Sequence, residues 1–189
     1  TEAVGLGRLD PFRDLDPERA LSAMFDVGHA LGPLEINATL FASEIDDALV
    51  VTEDGSGRLA LMNAPAPVRT WGTELLARFE QGPIHLTATH VLTRSSESDP
   101  SASGRRDVPL TPRHTAGVVG AWEDEEWGRV GVEMYYTGRQ SLEQNPYRTR
   151  SESYVVLGFR AEKRWGRARL FLNADNLLDT RQTGYARWV

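Results

Sequence analysis

The feature that most constrains this chain is a period of two. Ala168, Leu170, Leu172 and Ala174 alternate with Arg167, Arg169, Asn173 and Asp175, and Phe171 is the only apolar member of the second set. Alternation of this kind places the two sets on opposite faces of a strand. The same reading holds at 129–137, where Val130, Val132, Met134 and Tyr136 oppose Arg129, Gly131, Glu133, Tyr135 and Thr137. At 154–162, Val155, Leu157, Phe159 and Ala161 oppose Tyr154, Val156, Gly158, Arg160 and Glu162. At 34–43, Leu34, Ile36, Ala38, Leu40 and Ala42 oppose Glu35, Asn37, Thr39, Phe41 and Ser43. Weaker alternation runs through 20–31, 69–80, 84–94 and 113–122. These eight strands are of roughly ten residues each, the length a tilted membrane strand needs. Asp16 to Leu21 has an Asp-Pro start that predicts one helical turn at most.

The connections alternate short and long. Leu31-Gly32-Pro33, Gln81-Gly82-Pro83, Asp124 to Trp127 and Trp165-Gly166 are short; Val50 to Leu59, Ser95 to Pro112 and Arg139 to Ser153 are long, and a further loop begins after Leu178. Tight turns at one end and long loops at the other mark up-and-down outer-membrane barrels. A soluble antiparallel sandwich also alternates, but it scatters its loop lengths between both ends. Trp122, Trp127, Tyr135, Tyr136, Tyr154 and Trp165 fall near strand ends, as interfacial aromatic girdles do.

Composition excludes several classes. No run approaches the ~18 to 20 apolar residues of a spanning helix. The 189 residues contain no Cys, which removes disulfides and thiolate metal sites. A net charge of -6, from 27 acidic and 21 basic residues, gives no footprint for nucleic acid. Thr1-Glu2-Ala3-Val4 has no initiator Met, basic n-region or apolar h-region, so no signal peptide is expected within the sequence.

Three stretches carry a resemblance. Pro109 to His114 (PLTPRH) opens a strand, Tyr135 to Gln140 (YYTGRQ) closes one, and Phe171 to Gln182 (FLNADNLLDTRQ) is the most distinctive. The last resembles the N-x-x-N-L-x-D signature near the C-terminus of TonB-dependent receptors. Asn37 to Leu49, and Asn63 with Gly72 to Leu75, are similar to upstream strands of the same family. The resemblance spans about Asp16 to Tyr185. It implies about eight strands of a 22-stranded transmembrane barrel, closed inside by a plug domain. The full receptor would import a scarce ligand such as an iron-siderophore, cobalamin, a metal complex or an oligosaccharide, energised by the TonB complex. No plug or TonB-contacting segment is recognisable in residues 1–189, and the expected terminal aromatic strand does not follow before Trp188-Val189. A partial barrel domain without plug or last strand is therefore expected.

Candidate chemistry is sparse. Of His29, His85, His90 and His114, the middle two are five residues apart on one strand and face opposite ways, so they cannot share a metal. Glu123-Asp124-Glu125-Glu126 matches no Ca²⁺ loop and reads as a solvated turn, as do Glu44, Asp46 and Asp47. Gly5 to Asp10 (GLGRLD) lacks the third glycine and the βαβ setting of a dinucleotide site. There is no nucleophile elbow, Walker A or H-E-x-x-H. Asn37-Ala38-Thr39 spells a glycosylation sequon but falls inside a strand. The polar face carries Arg129, Glu133, Arg160, Glu162, Arg169, Asn173 and Asp175, expected to form cross-strand ion pairs and wall-to-plug hydrogen bonds. Loop residues from Ser95 to Arg106 and Arg139 to Arg150 are better placed to capture ligand.

The reading is a non-enzymatic, all-β barrel wall in the bacterial outer membrane. Its expected partners are lipid and, through the parent receptor, the plug and the TonB complex; the ligand is unknown, and no catalytic, metal or cofactor site is expected. Two alternatives remain open: a self-contained eight-stranded barrel acting as anchor or adhesin, and a soluble ligand-binding β-barrel.

Overall fold

The computed structural model describes residues 15–53, 57–99, 103–143 and 145–181. They contain eleven strands: β1 (Arg19–Leu31), β2 (Leu34–Asp46), β3 (Leu49–Glu53), β4 (Leu59–Asn63), β5 (Val68–Gln81), β6 (Ile84–Ser98), β7 (Arg105–Asp107), β8 (His114–Asp124), β9 (Gly128–Thr137), β10 (Tyr154–Trp165) and β11 (Ala168–Ala174). The main sheet is ordered β1-β2-β5-β6-β8-β9-β10-β11, with β7 paired to β6 and β3-β4 forming a separate pair. Every register that can be read is antiparallel. Along this path β1 and β11 are end strands, each with one neighbour among the described residues, so the sheet does not close on itself here.

The period-two reading placed all eight main strands. The expected helical turn at Asp16–Leu21 does not form, because Arg19 already enters β1, where Leu21, Ala23, Phe25 and Val27 keep strict alternation. The long connection after β2 is not irregular. It folds into the β3-β4 hairpin, with Leu49 paired to Asn63 and Val51 to Leu61. Gly5–Asp10, Tyr185 and Trp188–Val189 lie outside the described residues.

The chain divides into two compact units, Thr1–Ala23 with Phe41–Trp71 and Arg94–Val108, and Met24–Leu40 with Gly72–Thr93 and Pro109–Val189. In the second, the ladder aligns residues into rows. Ile84, Trp122, Val130, Ala161 and Leu172 form one row; Leu86, Gly120, Val132, Phe159 and Ala174 form another. Between them, on the opposite face, lies the row His85, Ala121, Gly131, Arg160 and Asn173. One face is thus apolar and the other polar.

Neither face is covered. Leu21, Phe25, Leu170 and Leu172 are 77, 64, 73 and 59% exposed. Ala48 is the one buried apolar side chain among the described residues, and none of their large side chains is fully buried. Order therefore comes from the backbone ladder, not from an interior core. A continuous uncovered apolar face is unstable in water, whereas a sheet whose backbone groups pair internally suits lipid.

The tight turns follow from their residues. Gly32 and Gly82 take φ of 59° and 57°, each followed by proline. A proline cannot take positive φ, so of the two hairpin turns matching strand twist only the one with glycine first fits. At β8-β9, the Asp124 carboxylate accepts the amides of Glu126 (3.0 Å) and Trp127 (2.8 Å). The acidic run is thus an aspartate-organised turn.

Candidate functional site

The polar face of the second unit is the surface on which chemistry is possible. Its charges are largely neutralised by their neighbours. Glu123 sits directly opposite Arg129 across β8 and β9, with the guanidinium 2.5 Å from its carboxylate. Glu162 lies 3.3 Å from Arg164 and 3.7 Å from Arg169. Arg160 donates to Asn173 (3.1 Å), its partner in the ladder, and Asn173 donates on to Asp175 (2.9 Å). Arg78 pairs with Glu35 at 3.5 Å, and His85 lies 3.9 Å from Glu80. Asp26 accepts hydrogen bonds from Asn37 (2.8 Å) and from the Thr39 hydroxyl (2.6 Å). The sequon asparagine is thereby engaged within the sheet. Cross-strand contacts thus join Arg129, Arg160, Glu162, Arg169 and Asn173 to neighbours, Asp175 is held by Asn173 two residues before it, and Glu133 stands opposite Gly158.

Two glycines on this face are closely approached by side chains of neighbouring strands. A Cβ on Gly158 would lie 2.8 Å from the Glu133 Cγ, and one on Gly117 would lie 3.3 Å from the Tyr135 ring. Each glycine leaves the room that its neighbour occupies, and an aromatic ring packed over a strand glycine restores the contact the glycine lacks.

The connections longer than a turn are braced. In the first unit, Arg106 pairs with Glu97 at 2.7 Å, and Arg105 donates to the carbonyls of Ser96 (2.7 Å) and Pro67 (2.9 Å). These arginines of the 95–106 segment fasten β7 onto β6. In the second unit, Arg139 and Arg148 both reach Glu152, at 3.5 and 3.1 Å, and Asn145 accepts the amides of Tyr147 (2.9 Å) and Arg148 (3.1 Å). Tyr147 remains 74% exposed. Glu44 pairs with Arg69, and Asp47 with Arg19. Among the described residues, no three His, Asp or Glu side chains gather as a metal cluster.

A family model described as TonB dependent receptor-like, beta-barrel, matches residues 5–177. The chain belongs to the TonB-dependent receptor family. Solved structures of receptors repeat its fold. It is similar to the ferric-catecholate import receptor Fiu of E. coli K12 (19% identity, TM-score 0.67), covering 88% of this chain and 24% of that one. It is similar to the FrpB iron transporter of Neisseria meningitidis (14%, TM-score 0.70; 91% and 29%). It is also similar to the siderophore receptor PirA of Acinetobacter baumannii (15%, TM-score 0.70; 90% and 29%). This chain spans about a quarter of the length of these receptors. No curated relative matches it.

In this TonB-dependent receptor chain the N-x-x-N-L-x-D stretch is architectural. Asn173 takes part in the Arg160–Asp175 chain described above. Asn176 and Asp179 adopt φ of 52° and 47°. The Asn176 side chain accepts the Thr180 amide (2.9 Å) and donates to the Thr180 carbonyl (3.1 Å), while the Leu177 amide donates to Leu157 (2.8 Å). The motif steers the chain out of β11 and ties it back to β10. Two features of this receptor chain escaped the periodic reading. Lys163 sits 3.8 Å above the Trp127 ring, and His90 meets His114, brought together by pairing between strands distant in sequence.

Proposed function

We propose that this chain is barrel wall of an outer-membrane receptor that imports a scarce ligand. Candidates are a siderophore, cobalamin, a metal complex or an oligosaccharide. The wall would span the outer membrane, hold the plug of the parent protein against its polar face, and present its long loops to the ligand. The TonB complex would supply energy by acting on that plug. The observation that carries this reading is the two-faced sheet: the uncovered apolar rows through Val130 and Val132 oppose a polar face whose charges are satisfied by neighbours. Lipid covers the first kind of face, and a plug or water the second. Fiu, a ferric-catecholate import receptor, FrpB, an iron transporter, and PirA, a siderophore receptor, share this fold and favour an iron complex among these candidates.

The test uses the full-length protein that contains this chain. Expressed in a Gram-negative host, it is expected in the outer-membrane fraction, with compact mobility on gels that is lost on boiling. Uptake of labelled ferric siderophores or cobalamin should rise with its expression and disappear without TonB. Recovery in the soluble fraction, or uptake indifferent to TonB, would overturn the proposal.

A further inference from the structure

The four histidines are not equivalent. His90 Nε2 lies 3.2 Å from His114 Nδ1, with the ring centroids 5.4 Å apart and the planes inclined by 33°. The ladder places both on the apolar face. His90 aligns with Ala116, Tyr136 and Val155, and Leu92 aligns with His114, in the same alternation as Leu86, Val118, Met134 and Leu157. His90 is six residues beyond Ile84, about 20 Å along the strand from the tight turn. The pair therefore lies toward the long-loop end of an otherwise apolar surface, where His114 opens β8.

An imidazole directed at lipid leaves its polar nitrogens poorly compensated. Two that meet nitrogen to nitrogen share one proton, one donating and one accepting. The same two atoms suit a second occupant. Imidazole nitrogens bind Zn²⁺, Ni²⁺ and Cu²⁺ at about 2.0 to 2.1 Å. Two such bonds separate their nitrogens by about 2.9 Å at a right angle and about 3.4 Å at a tetrahedral angle. The observed 3.2 Å falls between. Turning each ring so that both lone pairs converge on one ion brings the centroids from 5.4 Å to about 5.0 Å, a movement of a few tenths of an ångström.

We propose that His90 and His114 form a two-imidazole site for a borderline divalent transition-metal ion on the outward, apolar side of the sheet. It is separate from the polar face and independent of the ligand the receptor imports. Binding requires the donor ring to carry its proton on its other nitrogen, so that both facing nitrogens present lone pairs to the ion, and solvent completes the coordination. The site fastens β6 to β8 where the Ser95–Pro112 connection leaves the sheet.

The test is Cu²⁺ titration of the full-length receptor in detergent, followed by electron paramagnetic resonance. One Cu²⁺ is expected with hyperfine coupling from two imidazole nitrogens. H90Q and H114Q should each weaken it by at least the about tenfold that loss of even an outer-shell partner costs. H85Q should leave it unchanged, and boiling-sensitive gel mobility confirms that each variant is folded. An unchanged Cu²⁺ stoichiometry and spectrum in the H90Q/H114Q double variant would overturn the site. So would the absence of any two-nitrogen copper signal in the parent protein, which would leave the pair as a hydrogen bond alone.

Discussion

The side-chain amide of Asn63 closes on both backbone groups of Asp16. Its Oδ1 accepts the Asp16 amide and its Nδ2 donates to the Asp16 carbonyl, each at 2.9 Å. The same Nδ2 donates to the Asp47 carbonyl at 2.6 Å. One side chain at the end of β4 thus holds the strand entering β1, the corner leaving β2, and its own hairpin. Glu18, accepting the Leu49 amide at 2.7 Å, adds a second stitch between the same segments. Asn63→Ala should lower the local opening free energy of residues 15–18 and of the hairpin by about 1 to 3 kcal/mol. Hydrogen exchange in the full-length receptor measures this. Exchange in β9 and β10 should stay as it was, and equal acceleration everywhere would show Asn63 to be a general fold determinant instead.

The two faces respond oppositely to charge. Val132 lies in the apolar row with Leu86, Gly120, Phe159 and Ala174. Val132→Arg should cost about 2 to 4 kcal/mol of folding into bilayers if it lies near the midplane. Arg169, on the other face, is exposed and 3.7 Å from Glu162. Such a pair contributes at most about 1 kcal/mol, so Arg169→Ala should fold and insert almost normally. Denaturant titration in lipid vesicles compares them. Equal tolerance of both changes would remove the basis for assigning lipid to the apolar face.

Why strands were legible and contacts were not has a physical reason. Which way a strand residue points depends only on its parity, so rows such as Val130 and Val132 against Arg129 and Glu133 are written in single segments. What touches what depends on register, which no single segment encodes. His90 and His114 are 24 residues apart, and Asn63 and Asp16 are 47. The β3-β4 hairpin was missed for a different reason. Its strands have five residues each, and the intervening Asp54-Gly55-Ser56-Gly57 marks the stretch as loop. The ion pairs Glu123–Arg129 and Glu162–Arg169 were foreseeable as a class, since opposite charges on one face of neighbouring strands pair when register permits.

Gly158 and Glu133 make a second coupled pair. They face each other across β9 and β10, and a Cβ on Gly158 would meet the Glu133 side chain at 2.8 Å. Gly158→Ala should cost about 1 to 3 kcal/mol through overpacking. Glu133→Ala vacates that space, so the double variant should recover most of the loss. A double-mutant cycle by thermal unfolding in detergent reads the coupling. If the two costs simply add, the steric account of Gly158 is wrong.

The last prediction concerns the turn after β11. Asn176 does two jobs there, holding φ at 52° and bracketing Thr180 with two hydrogen bonds. Two substitutions separate them. Asn176→Gly keeps the left-handed backbone without strain and loses the bonds, costing about 1 to 2 kcal/mol. Asn176→Ala loses the same bonds and adds the left-handed penalty of about 1 to 2 kcal/mol. Alanine should therefore be the more damaging replacement, the reverse of the usual order within a strand or helix, where glycine is worse. The release should appear as faster hydrogen exchange at Leu177, whose amide is held by the Leu157 carbonyl in β10. Were glycine and alanine equally costly, the side-chain bonds alone would fix the turn, and the backbone conformation would carry no share of the motif's role.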